Sequence, residues 1–88
     1  MSDFDQKALI IKFLKINFPI CRLKQGNRFK RTIILDDGNY LLSNKNEQQK
    51  AFNELLKTLI KIFNIDKKTS IEILEIFLNV KQIDTHHV

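Results

Sequence analysis

The only proline and the only two glycines of this chain all lie between residues 19 and 38. Because a proline forces the residue before it out of helical geometry, Pro19 ends an N-terminal helix. Gly26-Asn27 and Asp37-Gly38 are each typical of a two-residue β-hairpin loop. We therefore predict an antiparallel meander of three strands, over about residues 20–25, 28–36 and 39–43, between helical segments. The predicted fold class is α+β, in the order α-β-β-β-α-α, with the meander packed on three helices.

Apolar residues recur at helical spacing on both sides of the meander, which indicates buried helix faces. Ser2 and Asp5 fit a capping box at the start of the first helix, and Asn44 and Glu47 fit the start of a second. The expected buried stripes are Phe4, Ala8, Ile11, Leu14 and Phe18 in the first helix, and Phe52, Leu55, Leu56, Leu59, Ile62 and Phe63 in the second.

A third helix is expected after a break at residues 64–68, with Thr69 and Glu72 at its start. Its polar residues form one narrow stripe, Glu72, Glu75, Asn79 and Gln82, and the rest is apolar: Ile71, Ile73, Leu74, Ile76, Phe77, Leu78, Val80 and Ile83. Such a helix must be almost surrounded, and one domain of this length hardly covers it. We therefore predict a homodimer formed through the third or the first helix.

The chain is expected to form one domain over residues 1–88, with a frayed end at 84–88. Its single cysteine excludes an internal disulfide and a cysteine-based zinc site. Because this usage is typical of a reducing compartment, we expect a cytoplasmic protein. No apolar run approaches the roughly 18 residues that span a bilayer, and the acidic start does not resemble a signal peptide. We expect no membrane partner.

Positive charge is concentrated in one stretch of the sequence. Residues 6–35 hold five lysines, three arginines and no acidic residue, which gives +8 where the whole chain has +5. All arginines of the chain are in this stretch. Such an excess favours an anionic partner, with nucleic acid ahead of an acidic protein surface.

The tip of the first predicted hairpin carries most of these cations. With Gly26-Asn27 as the loop, the pairs across it are Gln25 with Arg28, Lys24 with Phe29, Leu23 with Lys30, and Arg22 with Arg31. Two arginines opposite each other repel, and a phosphate between them would relieve the repulsion. Phe29 would stack on an unpaired base. The candidate binding residues are Arg22, Lys24, Arg28, Phe29, Lys30 and Arg31, joined by Lys12 and Lys15 if the first helix crosses the sheet on the hairpin side.

We predict a small basic regulatory protein that binds nucleic acid through this hairpin, RNA in preference to duplex DNA. The sequence has no recognisable helix-turn-helix, zinc-finger or RNP motif, so reading of a duplex sequence has little support. Two alternatives stay open. A basic edge hairpin also prevents sheets from aggregating, and Phe29 would then pack on the first helix.

The other alternative is an interaction protein of the phage or plasmid type. It would inhibit another protein, such as a host nuclease or toxin, through the same basic surface. The small size and the richness in Ile, Lys and Asn, which is typical of AT-rich coding, motivate this hypothesis. The partner would then be an acidic or RNA-binding protein.

The sequence offers little for catalysis, so we expect no enzyme, no cofactor and no metal. His86 and His87 are adjacent near the end of the chain, where they cannot point at one metal ion. A small ribonuclease that used one of them would lack a second positioned acid–base group. Asp36 and Asp37 are explained by turn chemistry, and strand alternation is expected to turn Cys21 into the core.

Overall fold

A computed structural model describes residues 3–80, with side chains from residue 5 onward. The elements are α1 (Asp3–Asn17), β1 (Ile20–Gln25), β2 (Arg28–Leu35), β3 (Gly38–Leu41), α2 (Lys45–Phe63) and α3 (Lys67–Leu78). The strands form one antiparallel sheet in the order β1-β2-β3. The predicted α+β class with a small meander is confirmed. The predicted capping residue Ser2 and the predicted frayed end at 84–88 lie outside the described residues.

The loop between β1 and β2 takes the predicted form. Gly26 has a φ of 63°, which suits the first central position of a type II′ turn and matches the twist of the flanking strands. The pairing register is the predicted one, from Gln25 opposite Arg28 to Arg22 opposite Arg31, and it continues to the base of the hairpin. Local turn chemistry therefore fixes the register of this hairpin.

The loop between β2 and β3 is shifted by one residue from the prediction. Leu35 pairs with Gly38, so the loop residues are Asp36 and Asp37 rather than Asp37 and Gly38. A type I turn accepts aspartate at its central positions and favours glycine at the fourth. Gly38 takes that fourth position with a φ of 146°, a left-handed value that favours glycine. The strands consequently end at Leu35 and begin at Gly38.

The core lies between one side of the sheet and the three helices. Ile33 and Leu35, which are 0% and 8% exposed, mark the helix-facing side of β2. Phe13 joins α1 to α2 through an edge-on contact with Phe63, whose ring centroid is 5.1 Å away. The buried apolar residues are Ile10, Leu14, Ile33, Leu35, Leu42, Ala51, Phe52, Leu55, Leu56, Leu59, Ile73, Leu74, Phe77 and Leu78. Each large one contributes about 1.5–3 kcal/mol on burial, so this cluster holds the helices in place.

Three residues expected inside lie elsewhere. Ala8 is exposed and Ile62 is 56% exposed, because the buried sides of α1 and α2 are centred on other residues of the same helices. Cys21 is half-buried on the side of the sheet away from the helices. It pairs with Thr32, and strand alternation places both opposite to the side of Ile33. The expectation of a core cysteine is therefore wrong.

The predicted start of α2 is confirmed. Asn44 is the N-cap, and its Oδ1 accepts hydrogen bonds of 3.0 Å and 3.1 Å from the backbone N–H groups of Asn46 and Glu47. The first N–H groups of a helix lack partners within it, and an asparagine at this position satisfies two of them here. α2 ends at Phe63, where Asn64 adopts a left-handed φ of 52°.

The start of α3 differs from the prediction. The helix begins at Lys67 because Asp66 is the N-cap, and its Oδ2 accepts a hydrogen bond of 3.0 Å from the backbone N–H of Thr69. Thr69 therefore lies in the first turn and does not cap the helix. The break between α2 and α3 spans residues 64–66 rather than 64–68.

One chain covers nearly all the apolar residues of α3. The helix ends at Leu78, where Asn79 takes a left-handed φ of 54°, and the predicted positions Gln82 and Ile83 lie outside the described residues. Ile76 is 61% exposed, whereas the other apolar residues of α3 are buried or half-buried. The burial of α3 therefore does not require a second subunit. Within residues 3–80, no helix combines the length and the apolar content that crossing a membrane requires.

Candidate nucleic-acid interface

The β1–β2 hairpin is buried at its base and exposed toward its loop. Ile20 packs against the core, whereas every residue from 22 to 29 is exposed and Lys30 and Arg31 are half-buried. We call residues 22–31 the cationic tip, since they carry five of the cations of the chain and no acidic residue. The hairpin is thus divided between a base that packs on the core and a charged tip.

The register divides the cations of the tip between two sides. Residues opposite each other in an antiparallel pair project to the same side, and neighbours along a strand alternate. The helix-facing side, which is that of Ile33, carries Arg22, Lys24, Phe29 and Arg31, and the other side carries Leu23, Arg28 and Lys30. The candidate residues that were taken together from the sequence are thus two separate groups.

Arg22 lies over the ring of Phe29, with the guanidinium carbon 5.1 Å from the ring centroid. The two residues are diagonal neighbours, since Arg22 pairs with Arg31 and Phe29 lies two residues before Arg31. A cation–π contact at an exposed site contributes about 0.5–1 kcal/mol and favours one orientation of the ring. Phe29 still has 58% of its surface exposed, so it does not pack on α1 as the alternative interpretation required.

Arg31 reaches the end of α3. Its Nη2 donates a hydrogen bond of 2.5 Å to the carbonyl oxygen of Leu78, the last residue of that helix. This carbonyl has no acceptor role within the helix, and a cation here also complements the negative end of the helix dipole. Arg22 and Arg31 therefore each have a partner within the protein, and their positions are explained without an anion between them.

α1 brings one of its two candidate lysines to the hairpin. Lys15 lines an open pocket of about 300 Å³ together with Ile20 and Phe77, so it lies beside the base of β1 on the helix-facing side. Lys12 is exposed on the outward side of α1, near Ile16, which is 70% exposed. The geometry therefore adds Lys15 to the helix-facing group and leaves Lys12 apart from it.

No cation of the tip has an acidic partner among residues 3–80. Lys7, by contrast, is neutralised, since its Nζ lies 3.2 Å from a carboxylate oxygen of Glu72 in α3. Uncompensated charge on a protruding surface attracts anions from solution and accelerates their association. The tip therefore has the electrostatics of an anion-binding surface.

The acidic side chains in the described part of the chain do not gather at one point as a metal site would require. No three His, Cys, Asp or Glu side chains come together there as metal ligands. The hydroxyl of Tyr40 donates a hydrogen bond of 2.5 Å to the carboxylate of Asp37, and this bond raises the pKa of Tyr40 above its ordinary 10.0. His86 and His87 lie outside the described residues, so the ribonuclease alternative stays a hypothesis.

Two contacts of the site were not foreseen from the sequence. The contact of Arg22 with Phe29 could have been predicted, because the predicted register makes the two residues diagonal neighbours within reach of long side chains. The bond from Arg31 to Leu78 has none, since the two residues are 47 positions apart and no pattern links them.

The fold and the site define a small α+β protein with a cationic β-hairpin that has no acidic partner within residues 3–80. Neither a protein-family model, nor a curated protein, nor a solved structure matches the chain. The case for a function therefore depends on the chemistry of the cationic tip.

Proposed function

We propose that this chain is a small nucleic-acid-binding protein whose cationic tip contacts phosphates, with RNA preferred over duplex DNA. The observation that carries the proposal is the exposure of Arg22, Lys24 and Arg28 without an acidic partner in residues 3–80. A guanidinium binds a phosphate through two hydrogen bonds, and an ammonium adds a mobile charge. Lys15 extends the same positive surface onto α1.

The exposed aromatic ring favours a ligand over a purely protective role for the charges. A hairpin that only prevents edge-to-edge aggregation needs charged residues and no ring. Phe29 is 58% exposed in the middle of the tip, opposite Lys24 and beneath Arg22. Single-stranded nucleic acid binds to surfaces that combine these two features, a positive groove and an aromatic side chain.

Fluorescence anisotropy with a labelled RNA tests the proposal. If about five phosphates are neutralised, the slope of log affinity against log salt is roughly −3.5 to −4.5. Because the chain has one tyrosine and no tryptophan, nucleic acid that co-purifies will also dominate its ultraviolet spectrum. Absence of binding, or binding that ignores salt between about 50 and 200 mM, would overturn the proposal.

A pair of double variants distinguishes binding by the cationic tip from a general effect of the net positive charge. Arg22→Ala/Lys24→Ala removes two exposed charges of the tip, and Lys50→Ala/Lys61→Ala removes two exposed charges of α2. We expect the first variant to weaken RNA binding and to make the salt slope shallower by about 2, and the second to have a small effect. Equal effects would place the binding surface elsewhere.

An acidic protein partner is the competing outcome of the same assay. Poly-glutamate of matched charge serves as the competitor, since it carries the charge of such a partner without phosphates or bases. Displacement of RNA at equal charge concentration would favour the interaction-protein alternative and its host nuclease or toxin target. The cytoplasmic location and the regulatory role stay predictions.

A further inference from the structure

Phosphate binding does not explain why the cationic tip exposes an aromatic ring. Single exposed apolar residues are common on protein surfaces, so the exposure of Phe29 alone would indicate little. Its surroundings are more specific: the ring has Lys24 directly opposite in the strand pair and the guanidinium of Arg22 5.1 Å from its centroid. The ring thus has two cations of the neighbouring strand β1 beside it on one side of the hairpin, and one of them lies over its face.

We infer that the ligand of the tip is a single strand that lies along the helix-facing side, with one unpaired base stacked on Phe29. The inference rests on the proposed function and narrows it to a class of nucleic acid. Charges alone bind duplex and single strand alike, whereas an aromatic ring gains from a base only where that base is not already stacked.

The spacing of the side chains fits one nucleotide and its neighbouring phosphates. Arg22 and Lys24 are two residues apart on the same side of β1, which is about 6.6–6.8 Å along a strand. A base stacked on Phe29 would therefore have two cations beside it along β1, spaced to contact successive phosphates. Lys15 lies beside the base of β1, where the nucleic acid would continue toward α1.

Phe29→Ala is the first test. We expect it to weaken binding of an oligonucleotide of about 12 uridines or thymidines by about 5- to 150-fold, the loss that removal of one stacked base produces. A comparison of the affinities for the RNA probe and the DNA probe shows which kind of single-stranded nucleic acid the tip prefers. Binding of a duplex of the same length should change less than twofold, and Leu23→Ala, on the other side of the hairpin, should leave both affinities unchanged.

Phe29→Trp keeps an aromatic ring at the site, so it tests base stacking even if the alanine variant fails to fold. Because the chain has no tryptophan, the fluorescence of this variant reports on one position. We expect quenching when the single strand binds and little quenching with the duplex. Quenching by neither ligand at saturating concentration would overturn stacking at this position.

Two double variants, each of which lacks two positive charges, test on which side of the hairpin the nucleic acid lies. Arg22→Ala/Lys24→Ala removes cations of the helix-facing side, and Arg28→Ala/Lys30→Ala removes the same number from the other side. We expect the first to weaken single-strand binding at least tenfold more than the second. Equal losses would overturn the placement of the strand.

The outcomes distinguish this inference from the proposed function. If the native chain binds duplex as tightly as single strand and Phe29→Ala affects neither, the inference is wrong while nucleic-acid binding stands. If the native chain binds neither probe, the proposed function itself fails.

Discussion

Arg31 and Leu78 join the hairpin to the end of α3 through a hydrogen bond of 2.5 Å from the guanidinium to the helix-terminal carbonyl. The bond satisfies an acceptor that the helix cannot satisfy itself, and it places a positive charge at the negative helix end. It therefore anchors the base of the cationic tip to the helical layer. One arginine of the tip has a structural role that its neighbours Arg22 and Arg28 do not share.

Replacing Arg31 should destabilise the fold. Arg31→Met keeps the aliphatic part of the side chain and leaves the Leu78 carbonyl without its donor, so we expect the free energy of unfolding to fall by about 1–2 kcal/mol. Urea denaturation followed by circular dichroism measures it. Arg28→Met removes the same charge from the exposed part of the tip and should change stability little. Equal stability of the two variants would contradict the capping role of Arg31.

The N-cap of α2 should be worth a measurable part of the stability. Asn44→Ala leaves two backbone N–H groups without their acceptor, and we expect a loss of about 1 kcal/mol, or roughly 4–8 °C in Tm for a domain of this size. Asn44→Asp should retain stability, because aspartate caps equally well. Asn46→Ala, in the first turn, is the control, and a loss there as large as at Asn44 would argue against the cap.

Asp66 should make stability fall in acid. Hydrogen bonds from Thr69 lower the pKa of this carboxyl below its ordinary 3.8, so the ionised form is favoured in the folded state. Its contribution is complete above the unfolded pKa and is lost as the pH falls through the lower folded pKa. Asp66→Asn caps the helix without titrating, so the stability difference between native chain and variant should shrink or reverse in acid. Parallel pH profiles in urea denaturation would contradict this prediction.

Tyr40 should titrate late. The hydrogen bond to Asp37 favours the protonated phenol, so the pKa of Tyr40 lies above 10.0. The contribution of this bond to folding stability is complete below 10.0 and is lost as the pH rises through the pKa of the folded state. Because Tyr40 is the only tyrosine, the absorbance of tyrosinate reports it alone. Asp37→Asn removes the charge and should move the midpoint down toward the ordinary value. An unchanged midpoint would show that the bond does not form in solution.

The predicted homodimer through the third or the first helix can be tested on α1. Leu9 and Ile16 are 53% and 70% exposed on its outward side, where they form the apolar surface that self-association would cover. We expect the native chain to elute from size-exclusion chromatography as a dimer, and Leu9→Lys/Ile16→Lys as a monomer. Elution of the native chain as a monomer at every concentration tested would refute the dimer.

Local chemistry explains why much of the fold was predictable. Pro19 and Gly26 act through the backbone of their own neighbours, so the end of α1 and the register of the first hairpin follow from a few adjacent residues. The N-cap at Asn44 is equally local. Where the prediction erred, two good local choices competed: Asp66 stands three residues before Thr69 and caps α3, and Gly38 serves the fourth turn position as readily as a central one.

By itself, the sequence determined the α+β plan, the register of the first hairpin and the concentration of positive charge in its tip. Only the tertiary structure decided which of those charges are available. It placed Arg31 against the last carbonyl of α3, 47 positions away in the chain, and it left Lys24 and Arg28 exposed on opposite sides. The reason is physical: turn and cap preferences act between neighbours in sequence, whereas the partner of a long cationic side chain depends on packing between elements far apart in the chain.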